Sequence, residues 1–206
     1  MDFSTHLWTS AVVFASTDID DLVLLTAFFA DTRMRRGAIV AGQFLGIGAL
    51  TAASATAALA VLAVPPHWPS LLGAIPLVMG LWKAGQLIRG GGDDADDEAG
   101  DARRAATRSG SQVMIVAAVT IANGGDNLSV YIPLFAANPR GVPVFVIVFA
   151  VMTAIWCAAA HTFVKHPASA AMMQRFGHLI LPAVLISLGL WLLWDARALM
   201  GTFLDS

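Results

Sequence analysis

Six stretches of this chain, at about 7–30, 38–64, 70–88, 112–136, 142–164 and 177–199, reach or approach the length needed to cross a bilayer. A helix needs roughly 20 predominantly apolar residues for that. The hydrocarbon interior offers no water to satisfy backbone groups, so each stretch is expected to be a helix that bonds internally. Composition agrees: 57% of the residues are hydrophobic, 13% are charged, and the mean hydropathy is +0.72. Soluble domains carry about 25% charged residues. The expected fold is therefore an all-α integral membrane protein with six transmembrane helices. Met1 to Ser10 hold no Lys or Arg and the first apolar run outlasts a signal-peptide core, so it is expected to be a retained helix rather than a removed leader. The single cysteine, Cys157, lies inside the fifth stretch. That rules out an internal disulfide or a cysteine-cluster zinc site and leaves a small buried hydrophobe.

Basic residues set the expected orientation. Threading six helices puts Arg33, Arg35, Arg36, Lys83, Arg89, Arg103, Arg104, Arg108, Lys165 and Arg175 on one side and Arg140 and Arg197 on the other. Ten against two places both termini outside under the positive-inside rule. The polar linker from Arg89 to Ser111 runs Gly90-Gly91-Gly92, then acidic residues from Asp93 to Asp101, then Arg103, Arg104 and Arg108. This composition predicts a disordered, solvated spacer. It divides the chain into a first three-helix repeat (1–88), the linker (89–111) and a second three-helix repeat (112–206).

A shift of 106 positions superimposes Asp20 on Asp126, Asp21 on Asn127, Leu22 on Leu128, Phe29 on Phe135 and Thr17 on Asn123. An odd number of helices per unit makes the second copy enter the membrane from the opposite face, the inverted-repeat plan of many secondary transporters. In such folds the substrate binds near the midplane, between the copies. Gly42, Gly46 and Gly48 in the second helix suit close helix contact, Trp8, Trp68, Trp82, Trp191 and Trp194 fall near expected interfaces, and Pro65-Pro66-His67-Trp68-Pro69 reads as a tight external loop.

The first helix of each half carries a polar cluster, Thr17-Asp18-Ile19-Asp20-Asp21 and Asn123-Gly124-Gly125-Asp126-Asn127. An aspartate at the centre of a membrane helix costs roughly 2.5–3.5 kcal/mol on insertion scales, so several imply a compensating partner. Thr17, Asp20 and Asp21 stand at i, i+3 and i+4, as do Asn123, Asp126 and Asn127, so each triplet makes one face. That face is apolar again one turn away, at Val13 and Phe14 and at Leu24 and Leu25, which suits a binding site better than a continuous pore. Gly124-Gly125 weakens one helix at the cluster, and Ser16-Thr17 can back-bond and loosen the other, so both are expected to unwind locally. Pro133 favours a further kink. No Lys or Arg lies at the centre of any expected span, which leaves a cation as the simplest partner.

The expected metal site has Asp20 and Asp126 as principal ligands, completed by Asp18, Asp21, Asn123, Asn127 and Thr17, with Gln43, Ser16, Gly124 and Gly125 supporting them from behind. Gln43 reads equally as an interhelical hydrogen bond. Four carboxylates over-neutralise one divalent ion, so at least one is expected to hold a proton, and its release on metal entry would couple metal to proton movement. The donors are all oxygen, which suits manganese, calcium or magnesium, whereas soft cadmium favours sulfur; Met79, Met114 and Met152 are the candidate sulfurs and read first as packing. His161, His166 and His178 gather around the fifth loop and Asp195 stands near Arg197 as an end-of-helix pair.

Ser16-Thr17-Asp18-Ile19-Asp20-Asp21 with Phe28-Phe29, Gly42-Gln43-Phe44-Leu45-Gly46, Ala122-Asn123-Gly124-Gly125-Asp126-Asn127 and Tyr131-Ile132-Pro133-Leu134-Phe135 together resemble the cadmium-resistance transporter (CadD) family of the lysine-exporter superfamily. The likeness runs over nearly the whole chain. It implies a bacterial inner-membrane protein exporting divalent cations, cadmium above all, with manganese or a basic amino acid as the alternatives the superfamily allows.

Other functions fit the residues less well. An amino-acid exporter would want a cationic or aromatic group for the substrate carboxylate. An intramembrane aspartyl protease on Asp20 and Asp126 would want Gly-x-Gly-Asp and Tyr-Asp blocks, and the chain reads Asn123-Gly124-Gly125-Asp126 and Ile19-Asp20. A di-iron enzyme needs repeated His and Glu ligands, and ATP hydrolysis needs a phosphate-binding Gly-Lys loop; the chain has neither pattern. An accessory subunit stays open. The expected partners are the divalent ion as substrate, protons as counter-ion and the lipid bilayer, with no nucleic acid and no cofactor; a homo-oligomer is allowed and not required.

Overall fold

The described parts of the apolar stretches are helical, and the two stretches that carry the aspartates become two helices apiece. The computed structural model describes residues 3–62, 72–89, 110–165, 182–191, 193 and 194. Within them run α1 (Phe3–Thr17), α2 (Ile19–Ala30), α3 (Arg36–Leu62), α4 (Ala74–Arg89), α5 (Gln112–Asn123), α6 (Gly125–Ala137), α7 (Val142–Phe163) and α8 (Pro182–Trp191). No strand occurs among the described residues. Lying outside them are the linker core 90–109, the Pro65–Pro69 loop, His166, His178, Arg175 and the Asp195–Arg197 pair.

The expected unwinding falls at Asp18 and Gly124. Asp18 has φ −102° and ψ 19°, Gly124 has φ −81° and ψ 20°, both in the sparsely populated bridge region between helix and strand. The two breaks are 106 positions apart, the same shift that aligns the polar clusters. The rest of the helix order follows that shift. Arg36–Leu62 would move to 142–168, against the observed Val142–Phe163, and Ile19–Ala30 to 125–136, against Gly125–Ala137. At the second break the chain bends by 68°. Pro133 lies inside α6, which continues past it to Ala137.

Arg36–Val61 and Pro139–Phe163 are each long and apolar enough to cross a membrane alone, and the bent pair α5–α6 makes a third span if it crosses as one. The expected count of six is met only to that extent among the described residues. The α1–α2 pair carries Asp18, Asp20 and Asp21, and α4 has 16 residues.

The halves interleave rather than sit side by side. α3 of the first half packs along α5 and α6 of the second, α7 of the second packs along α1 and α2 of the first, and α3 and α7 touch each other. Close approach of α3 to α5 depends on Gly42 and Gly46: a Cβ on Gly42 would stand 2.6 Å from the Val113 carbonyl oxygen, and one on Gly46 2.6 Å from Thr120 Cβ. Gly48, expected to share that role, faces open space.

Two apolar clusters result. One joins Val13 and Phe14 of α1 to Ile47, Leu50, Val130, Tyr131, Leu134, Phe135, Phe145 and Phe149; the other joins Leu22, Leu25 and Phe28 of α2 to Ile39, Val116, Val119, Cys157 and Ala160. Gln43 lies one turn from Ile39 of one cluster and one turn from Ile47 of the other. The polar residues therefore form a layer between two apolar ones, at the depth where both first helices break. Trp8, Trp82, Trp191 and Trp194 are exposed, as belongs to residues facing lipid or its interface.

Candidate functional site

The layer is assembled from both halves by hydrogen bonds that cross between them. Asp18 at the first break is fully buried: its Oδ1 accepts from Asn127 Nδ2 at 3.1 Å, and its Oδ2 from the Tyr131 hydroxyl at 2.8 Å. The Thr17 hydroxyl lies 3.1 Å from that same Oδ2 and 3.0 Å from the Val13 carbonyl, so its one proton is shared between them. The main-chain oxygen of Asp18 accepts from Trp156 Nε1 at 2.6 Å. Asp21, one turn on, accepts from Gln43 Nε2 at 2.7 Å and Asn123 Nδ2 at 3.0 Å, and Thr120 donates to Gln43 Oε1 at 2.7 Å.

The shift of 106 carries contacts as well as sequence. Asp20 Oδ1 accepts the following amide, Asp21 N, at 3.0 Å, and Asp126 Oδ1 accepts Asn127 N at 2.9 Å. Both carboxylates thus sit in the first turn of a half-helix, where the free N–H groups and the positive end of the helix dipole favour negative charge. Trp156 and Leu50 are also 106 apart, and each lies against the other half's break. Trp156 bonds to Asp18, and Leu50 fills the space that a side chain at Gly124 would need.

Asp126, 2% exposed, has a partner that the sequence reading denied it. Lys83 Nζ stands 3.3 Å from its Oδ2. Lys83 is counted in the sequence as the charged end of a span, yet it lies inside α4 and its four-carbon stem reaches back to α6. The expectation that the lack of Lys or Arg at span centres leaves the carboxylates without a basic partner is therefore corrected, and part of the negative charge is compensated within the chain.

The expected site residues fall into three groups. Asp18, Asp21, Asp126, Asn123, Asn127, Thr17 and Gln43 are buried together in the layer, Gln43 bonding Asp21 directly. Asp20 is half-buried beside them. Ser16 is turned away, donating to the Val13 carbonyl at 2.8 Å, and Gly125 is exposed. Among the described residues no group of three or more His, Cys, Asp or Glu side chains is placed to hold a metal ion, and amide N–H groups and the Lys83 ammonium bond to the carboxylates. Three buried side-chain oxygens among the described residues have no hydrogen-bond partner, Thr51 Oγ1, Ser54 Oγ and Asn127 Oδ1, and of these Asn127 Oδ1 belongs to the layer. Of the methionines, Met79 lies beside the site, its Cε 3.9 Å from where a Gly125 Cβ would be; Met152 packs on the aromatic cluster and Met114 is exposed.

Four contributors escaped the sequence reading: Lys83, Tyr131, Thr120 and Trp156. Tyr131 is the chain's one tyrosine and stands at i+4 from Asn127, and Trp156 is an indole well inside an apolar span, where its N–H needs an acceptor. Trp156→Phe keeps the edge contact to Phe14 but removes the donor to Asp18 O. It is expected to lower stability in a thermal melt by about 1 kcal/mol. Trp82→Phe, on an exposed ring, should leave the melt unchanged.

The family model described as "Cadmium resistance transporter" matches residues 14–204, which includes both breaks and every residue of the layer. No curated protein and no solved structure matches the chain.

Proposed function

The chain belongs to the cadmium-resistance transporter family, and from that premise we propose that it exports a divalent metal cation held in the polar layer where the two halves break. Family and apolar helices make it a membrane transporter. The observation that carries the site is Asn127 Oδ1, a buried carbonyl oxygen with no donor, fixed in place because the nitrogen of the same amide is held by Asp18. A buried acceptor without a partner costs about 1–3 kcal/mol, and a cation between it and the neighbouring carboxylates removes that cost.

Loading follows from the chemistry of amides. Asn127 already leaves its oxygen free, while Asn123 and Gln43 now present N–H groups to Asp21. Each carries an oxygen on the same carbon, so half a turn of the terminal torsion exchanges donor for acceptor. Rotation in the presence of metal would add oxygens to the carboxylates of Asp18, Asp20, Asp21 and Asp126. The layer lies between apolar clusters and is formed by half-helix ends from both repeats, the placement expected of an inverted-repeat transporter with a midplane site. The remaining parts of this reading are six spans in a bacterial inner membrane, both termini outside, and a proton counter-flow. Metal entry would displace protons from surplus carboxyl groups and so couple export to the proton gradient. Cadmium added to proteoliposomes carrying a pH dye should produce proton movement that saturates with metal; metal uptake at saturation without proton movement would refute the coupling.

The donor set favours a second ion on ligand hardness, manganese, since each residue read as a ligand offers oxygen. Met79 beside Gly125 is the feature on the side of a softer ion. Titration of cadmium, zinc, manganese and calcium against purified protein ranks them.

A further inference from the structure

We propose that Lys83 is a tethered competitor for the transported cation: its ammonium occupies the Asp126 carboxylate in the metal-free protein and must leave when metal enters. The inference rests on the metal-export reading and adds a device that sets how tightly the site holds its ion.

The two halves differ at these carboxylates. Asp20 and Asp126 correspond under the shift of 106, and each closes the first turn of a half-helix in the same way. The position corresponding to Lys83 is Gly189, which offers Asp20 no ammonium from that place in the repeat. Asp20 is held by the Asp21 amide, while the Lys83 ammonium stands 3.3 Å from Asp126. That places a positive charge where a metal shared between the halves would stand. With Lys83 side-chain exposure at 14% and Asp126 at 2%, water screens this charge weakly.

A divalent ion bound by Asp126 and the ammonium bonded to Asp126 cannot coexist without repulsion between two positive charges a few ångströms apart. The flexible stem of Lys83 lets the ammonium swing away, still charged, toward the end of α4. On return it takes back Asp126 and helps expel the ion, so the protein releases what it binds. Met79, one helical turn earlier on the same face of α4, lies against Gly125, so a movement of α4 would shift both side chains at α6 together.

The test is equilibrium binding of radioactive cadmium to the full-length protein in nanodiscs. Lys83→Leu, uncharged and without a metal-binding atom, is expected to bind cadmium at least about tenfold more tightly and to export it more slowly, and Lys83→Arg is expected to keep the weaker binding of the native chain. A second measurement needs no variant. The chain has two lysines, and Lys165 is exposed and serves as internal standard. Acetylation of Lys83 relative to Lys165, read by mass spectrometry, should rise when cadmium saturates the native protein. Unchanged or weaker cadmium affinity in Lys83→Leu, or unchanged Lys83 acetylation with metal bound, overturns the proposal and leaves metal export standing. A native protein that binds no divalent ion overturns both.

Discussion

Asp126→Asn is expected to reduce metal resistance to the level of cells lacking the protein while the variant still reaches the membrane. The substitution removes a charged oxygen from the proposed site and leaves the Lys83 ammonium facing a neutral amide. Breaking a buried ion pair by removing one partner costs up to about 3–5 kcal/mol, so the variant is also expected to melt earlier than the native chain. The double variant Asp126→Asn with Lys83→Met separates the two effects: it should regain most of the stability and none of the resistance. Asp20→Asn should lose resistance without the stability loss, because Asp20 Oδ1 takes the Asp21 amide rather than an ammonium. Either single variant that keeps full resistance removes that carboxylate from the site.

Gly42→Leu is expected to be the most damaging change outside the polar layer. A Cβ there would meet the Val113 carbonyl oxygen and Val116 Cβ, each at 2.6 Å, and neither is the far end of a flexible side chain. α3 and α5 must therefore separate. Overpacking of this kind costs about 1–3 kcal/mol or more, and the separation also carries Gln43 away from Asp21 and Thr120. Loss of both thermal stability and metal binding is expected, measured on the same purified sample. Gly48→Leu is the matched control, since nothing lies within 4 Å of a Cβ at that position. Equal damage at the two positions would mean that the α3–α5 contact is not what holds the layer together.

The sequence was informative where periodicity and local chemistry act, and silent where side chains reach between elements. The i, i+3, i+4 spacing of Thr17, Asp20 and Asp21 and of Asn123, Asp126 and Asn127 foretold a shared polar layer, and the Gly124-Gly125 pair foretold a break. The first break falls at Asp18 rather than at Ser16-Thr17. Both hydroxyls bond back to the Val13 carbonyl and leave α1 helical through Thr17. Gly42 and Gly46 were readable as a contact face, and Gly48 was not separable from them, because only the direction of the neighbouring helix distinguishes the three. Lys83 was misjudged for a related reason: the charge marks a span end in sequence, while a long stem decides in space where the ammonium goes. Asp18 and Asp21 have more donors around them than Asp20, because the crossing of the halves brings Asn127, Tyr131, Asn123 and Gln43 to them. That crossing follows from packing of α3 on α5 and α6, which no local pattern states.

The most direct measurement is an anomalous-difference map from crystals of the protein grown with cadmium. The account predicts one strong peak per chain, within coordination distance of Asp126 and Asn127 Oδ1 from one half and of Asp20 or Asp21 from the other, with Lys83 Nζ moved off Asp126. Peaks confined to carboxylates at the surface, with the breaks at Asp18 and Gly124 unmoved and Lys83 still on Asp126, would contradict it.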